Sequence, residues 1–187
     1  RKCKYRIVLR GDQVKNQNLE AACFQELGSA PAAMAASKFA DAYGCAKGHA
    51  IMQADAIRAY RQAPITGTPT FVTLPKKQWP KSWVESGYRK PCCQLKKALE
   101  GHPDAGGMWE QHCNEQCLEA GFHPIEGWPS CYWHPEKHLF LMVYVDDLEM
   151  SGPSGQIMLD AWADLASRLN LDKPTDADFF LGCKHEF

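Results

Sequence analysis

The sequence predicts an α+β fold, an antiparallel sheet backed by helices. Three observations carry that expectation. The apolar run Leu139–Val145 follows the β-rich Cys131–Trp133, with His134-Pro135-Glu136-Lys137 between them, which is the pattern of a hairpin. Trp109, Cys113 and Cys117 fall at i, i+4 and i+8, and Ile157, Ala161, Leu165 and Leu169 repeat that spacing, so two amphipathic helices are expected. His49–Asp55 (HAIMQAD) alternates in the manner of a strand.

Taken in order, Tyr5–Arg10 (YRIVLR) is a short β-rich run ending at the turn signal Gly11-Asp12, and 12–28 is polar loop. Ser29 is placed to cap an Ala-rich helix over about 31–43, with Met34, Phe39 and Tyr43, that Gly44 ends. The stretch 61–91 carries five prolines, with Thr70–Leu74 (TFVTL) as its strand. Gly101-His102-Pro103-Asp104 breaks the chain before a helix over 107–120, closed by Gly121. After the hairpin, Asp146-Asp147 interrupts the apolar run and Leu148–Met150 returns as a strand. Ser154 is placed to cap a helix over about 156–169, and Phe179–Gly182 starts a last strand.

At 187 residues, 45% hydrophobic and 23% charged, the composition is that of a globular domain. The longest apolar run is seven residues, far from the roughly 20 of a membrane span. The nine cysteines are odd in number and irregularly spaced, and no secretory signal opens the chain, which points to reduced thiols in an intracellular protein. A start at Arg1 and a stop within an element mark a piece of a longer polypeptide. The net charge of −1 conceals an asymmetry: residues 1–99 hold 17 Lys+Arg against 6 Asp+Glu, and residues 100–187 hold 4 against 16. One half suits a polyanion and the other a cation.

Asp146 and Asp147 are adjacent carboxylates at a strand–turn junction, where they repel unless a cation sits between them. Asp55 likewise ends an apolar strand, with Tyr60 five residues on. If the strand ends meet, three oxygen donors suit Mg²⁺ or Mn²⁺ and phosphate chemistry. Other groupings are weaker. Cys113-x₃-Cys117 with His112, His123, Cys131 and His134 offers zinc-type donors, but both cysteines share the apolar helix face with Trp109. Trp79, Trp83 and Tyr88 among lysines suit either base stacking or packing.

Tyr144-Val145-Asp146-Asp147 resembles the YVDD box of reverse transcriptases, and nearly the whole chain resembles the copia-type LTR-retrotransposon branch of that family. Lys4–Gly11 is similar to the branch's K-x-R-[LI]-V-x-[RK]-G, and Gln53-Ala54-Asp55-Ala56 with Ala59-Tyr60 to its Q-x-D-V-x-x-A-[FY]. Leu95-Lys96-Lys97-Ala98-Leu99, Gly101 and Trp109 match L-x-K-A-L-Y-G and the following Trp; Gly121-Phe122 and Phe180-Leu181-Gly182 match GF and FLG.

The resemblance implies a fingers-and-palm fragment with a ferredoxin-like palm: fingers at approximately 1–48 and 66–104, palm at approximately 49–65 and 105–187, thumb and RNase H absent. It implies RNA-directed DNA polymerase activity within a Pol polyprotein, by two-metal transfer from a dNTP to a primer 3′-hydroxyl on an RNA or DNA template. Asp55, Asp146 and Asp147 are then the catalytic metal ligands for Mg²⁺ or Mn²⁺, and Tyr60 the steric gate against ribonucleotides. Lys4, Arg6 and Arg10 bring charge to the triphosphate, and Phe180, Leu181 and Gly182 begin the primer grip. Other Pol regions are the implied partners, with no membrane, in a cytoplasmic virus-like particle or the nucleus. Glu100, Asp104 and Glu149 depart from the family pattern, each adding a carboxylate near the implied site. The alternatives are a non-catalytic remnant and, of a different class, a zinc-binding interaction module.

Overall fold

The computed structural model describes residues 8–22, 24, 30–180 and 183–184. Helix α1 covers Met34–Gly44 and strand β1 His49–Asp55, followed by the short β2 (Phe71–Val72), α2 (Lys81–Glu85) and β3 (Cys93–Gln94). Next come α3 (Ala105–Glu119), β4 (His123–Ile125), β5 (Trp128–His134), β6 (Leu139–Tyr144) and β7 (Asp147–Pro153). The chain closes with α4 (Gln156–Arg168), β8 (Thr175–Asp176), β9 (Phe179–Phe180) and β10 (Cys183–Lys184). Six strands form one sheet in the order β4-β5-β6-β7-β1-β8, and all its pairings are antiparallel. The architecture is α+β, as the periodicities require.

β6 is apolar throughout because it lies inside the sheet with helices on both faces. Leu139, Leu141 and Val143 join Leu148 and Met150 of β7, Trp109, Cys113 and Cys117 of α3, and Trp162 and Leu165 of α4 in one cluster. Phe140 and Met142 point the other way, onto Ala36 and Ala40 of α1. β7 alternates: with Leu148 and Met150 turned toward α3 and α4, Asp147, Glu149 and Ser151 turn toward α1.

Several expected boundaries move for identifiable reasons. The helix expected from 31 begins at Met34, because Ala30 N–H donates to the Glu110 carboxylate at 2.8 Å and Ala32 N–H to the Val143 carbonyl at 3.3 Å. Those residues dock on the sheet instead of coiling. Ser29 lies outside the described residues, and Ala33 holds the N-cap without a side-chain bond. Ser154 does not cap α4: Gly155 takes the N-cap, and the Ser154 hydroxyl donates to the Gly48 carbonyl at 3.0 Å, joining the start of α4 to the start of β1. The strand expected over 70–74 shortens to Phe71–Val72, the only positions of β2 paired with β3. Of the strand expected over 5–10, residues 5–7 lie outside the described part and 8–10 have no strand partner among the described residues.

Residues 8–11 instead cross the loop before α3. Leu9 N–H donates to the Glu100 carbonyl at 2.7 Å. At the crossing, a Cβ on Gly11 would lie 2.1 Å from the Gly101 carbonyl oxygen, and one on Gly101 would lie 2.1 Å from that of Leu9. Gly101 also has φ +87, a left-handed conformation that L side chains disfavour.

Candidate active site

β1 and β7 pair over seven positions, from His49↔Pro153 to Asp55↔Asp147, so the register itself sets two carboxylates opposite each other at the ends of two adjoining strands. The β6–β7 connection is the two-residue turn Val145-Asp146, closed by the pair Tyr144↔Asp147. Val145 has φ +57 while Asp146 is not among the positive-φ residues, the pattern of a type II′ turn, whose first central position favours glycine. A β-branched residue there stores about 1–3 kcal/mol of strain and persists only where its surroundings over-determine it. Both carbonyls of the turn are held from outside the hairpin. Ala56 N–H donates to the Asp146 carbonyl at 2.6 Å, and the Trp109 indole N–H donates to the Val145 carbonyl at 2.5 Å.

Asp55, Asp146 and Asp147 therefore lie at one end of the sheet, and their charges register on one another. Burial raises the Asp55 carboxyl above its usual range, reinforced by the charges of Asp172 and Asp146, while a hydrogen bond with Asp147 opposes the rise. Asp147 is pushed up to about 6 by burial first, then by the charges of Asp146 and Asp55 and the hydrogen bond it shares with Asp55. Among the described residues, no three His, Cys, Asp or Glu side chains are gathered at metal-ligand spacing. The donor set nonetheless has the chemistry of a hard divalent-cation site: it is all oxygen and all carboxylate, and the mutual repulsion that adds to the burial effect is what such a cation would relieve.

A fourth carboxylate, absent from the sequence reading, joins the group. Asp55 N–H donates to Asp172 Oδ1 at 2.8 Å, and Asp172 N–H returns a bond to the Asp55 carbonyl at 2.9 Å. Asp172 sits in irregular chain after α4, where no periodicity marks it; only the bridge Ala56↔Leu171, which carries this segment alongside the end of β1, brings it in.

Tyr60 is half-buried against the sheet cluster and lines a cavity of about 40 Å³ with Trp109, Val143 and Val145, beside the turn. Arg10 is exposed and lies 3.6 Å from Asp12. Lys4 and Arg6 lie outside the described residues, as do Leu181 and Gly182. Phe180 is buried with Ala36, Ala40 and Phe140, on the α1 side of the sheet.

The three departures do not act alike. Glu100 pairs with Arg61 at 3.0 Å, so its charge is partnered. Asp104 is buried at the start of α3, its Oδ1 without a hydrogen-bond partner. Glu149 is fully buried with neither carboxylate oxygen bonded to a described residue, and burial, then the charge of Asp41, pushes it up to about 8. It is mostly protonated at neutral pH, so it adds little negative charge there. Of the three carboxylates expected near the implied site, Glu100 and Glu149 thus add little unpaired negative charge. The zinc-type grouping also separates: Cys113 and Cys117 lie in the α3–α4 cluster, and Cys131 lies on the other face of the sheet.

No curated protein matches the chain. A family model described as reverse transcriptase (RNA-dependent DNA polymerase) matches residues 1–186, and with the YVDD turn set against Asp55 the chain belongs to that family.

Proposed function

We propose that the chain is the fingers-and-palm part of a copia-type retrotransposon reverse transcriptase, joining a dNTP to a primer 3′-hydroxyl on an RNA or DNA template. The observation that supports this reading is the register pair Asp55↔Asp147, with Asp146 beside it in a strained, externally held turn. In this reading the palm takes residues of approximately 49–65 and 105–187, as a ferredoxin-like sheet. The fingers take approximately 1–48 and 66–104, with α1 reaching across to pack on the palm.

Asp55, Asp146 and Asp147 would hold Mg²⁺ or Mn²⁺. When bound, a pair of such ions activates the primer hydroxyl and stabilises the leaving pyrophosphate. The protein's own contribution is positioning. The β1–β7 register fixes two carboxylates and the turn fixes the third. The Tyr60 ring, beside that turn, excludes a 2′-hydroxyl by bulk. Arg10, with Lys4 and Arg6, meets the triphosphate. Phe180, Leu181 and Gly182 begin the grip on the primer.

The test is primer extension with Mg²⁺ by the chain joined to a reverse transcriptase thumb. Extension is expected to vanish in Asp146→Asn, and Tyr60→Ala is expected to admit ribonucleotides more readily while retaining part of its dNTP use. Extension that survives Asp146→Asn refutes the assignment of the carboxylates. Unchanged dNTP/rNTP discrimination in Tyr60→Ala refutes the gate.

A further inference from the structure

The carboxylate Asp146 sits on a turn that its own sequence does not favour. Its backbone position depends on the peptide joining Val145 to Asp146: rotation of that peptide changes ψ of Val145 and φ of Asp146 together, and so re-aims the Asp146 side chain. A glycine at Val145 would hold the positive φ without strain; valine does not. The rotating peptide has one carbonyl, that of Val145, and the Trp109 indole N–H is bonded to it.

Trp109 is itself fixed. It is 2% exposed and packs in the cluster shared by α3, α4, β6 and β7, with Cys113 one turn further along the helix. Its donor is a single N–H, in a part-buried bond, and the acceptor it has is 36 residues away in sequence. The other side of the turn is held by Ala56, next in sequence to Asp55. The turn is therefore clamped between the strand that carries Asp55 and a side chain from the helix core.

We infer that Trp109 is a positioning residue: its indole N–H locks the Val145–Asp146 peptide and thereby holds Asp146 in the orientation in which it shares a divalent cation with Asp55 and Asp147. The inference rests on the reading of those three carboxylates as metal ligands. It assigns to the bond a role that packing alone does not give, since a phenyl ring fills most of the same space and offers no donor.

The experiment uses the chain as it stands, with Mn²⁺ as the probe and titration calorimetry as the readout. In Trp109→Phe, Mn²⁺ affinity is expected to fall about tenfold, the size typical of losing a group that orients a ligand. Cys113→Ala, one turn away in the same core, is expected to lower the melting temperature while leaving Mn²⁺ affinity unchanged. In the Val145→Gly background, where the turn is no longer strained, most of the Trp109→Phe effect is expected to disappear. In the unsubstituted protein, the Trp109 indole hydrogen is expected to exchange with solvent as slowly as core amides, a measurement that does not depend on any variant folding.

Wild-type Mn²⁺ binding that Asp55→Asn abolishes, together with unchanged affinity in Trp109→Phe, overturns the positioning role and leaves the metal reading intact. Absence of Mn²⁺ binding in the wild type, or binding indifferent to Asp55→Asn, overturns the metal reading and this inference with it. A freely exchanging indole hydrogen overturns the inference by itself.

Discussion

The two faces of the sheet are drawn from the same strands, yet they bury different chemistry. Toward α3 and α4, β6 and β7 present Leu139, Leu141, Val143, Leu148 and Met150 to Trp162 and Leu165. Toward α1, β6 presents Phe140 and Met142, but β7 presents Asp147, Glu149 and Ser151 beside Gln53 and Asp55 of β1. The cross-strand rows make the contrast concrete: Tyr144–Asp147–Asp55 leads to Met142–Glu149–Gln53 two residues further in. Side chains alternate along a strand, so a carboxylate required at a strand end fixes which face its neighbours two and four residues on must occupy. The difference teaches that β7 gives its apolar side chains to one face and its carboxylates to the other, so the carboxylate row is laid over the α1 side of the sheet.

The largest expected effect lies on the apolar face. Leu148→Ala should destabilise the fold by about 2–5 kcal/mol, measured by urea unfolding, because Leu148 is fully buried between two helices that cannot both collapse onto the gap. A loss below 1 kcal/mol would break the comparison.

Glu149→Leu should do the opposite. With its carboxyl pushed up from 4.5 to about 8, the folded state binds the proton more tightly than the unfolded chain. Its contribution to stability is then fullest below about pH 4.5, falls as pH rises toward 8, and levels off above that. The stabilisation by the substitution should be about 4 kcal/mol larger at pH 9 than at pH 5. Melting curves of the two proteins across that range test it; parallel pH profiles would show that Glu149 has found a partner.

Asp147→Asn is expected to have a smaller effect of the same sign. Relief of repulsion from Asp146 and Asp55 should stabilise the metal-free protein by about 1 kcal/mol at pH 8, kept small because the site is partly open to solvent. The wild type should lose that stability as pH rises from 3.8 to about 6 and recover it on addition of Mn²⁺, whereas the variant should lack the Asp147 part of the pH loss and gain less from Mn²⁺. The smallest effect is assigned to Ser151→Ala. Its hydroxyl is fully buried and bonded to none of the described residues, so removal should be neutral or stabilising by less than about 1 kcal/mol, which thermal melting would resolve in sign.

Elements whose physics is local were legible in the sequence. β1 runs over His49–Asp55 as its alternation indicates, and the Trp109–Cys113–Cys117 spacing places α3 and its buried face. Gly121 has the positive φ expected of a residue just past a helix end. What escaped depends on pairing between distant segments. Ser154 is a good cap by type, yet its hydroxyl finds the Gly48 carbonyl instead. β4 at His123–Ile125 contains a proline and exists only as the partner of β5. At the candidate site, the motif gave Asp55, Asp146 and Asp147, and the register joined them. Asp172, and the indole bond to Val145, required knowing which segments lie side by side.

The crossing of the N-terminal segment over the loop before α3 has a genetic consequence. Every single-nucleotide change in a glycine codon that replaces the residue adds a Cβ. At Gly11 and Gly101 there is backbone within 2.1 Å of where that atom must go. These two codons are therefore among the least forgiving in the gene, although neither residue touches the carboxylates. When copies of such a gene decay without selection, a change at either codon should separate the chain's first segment from the body of the fold while the YVDD box still reads intact. Survival of the motif is then a poor gauge of whether a copy still folds, and these two glycines are a better one.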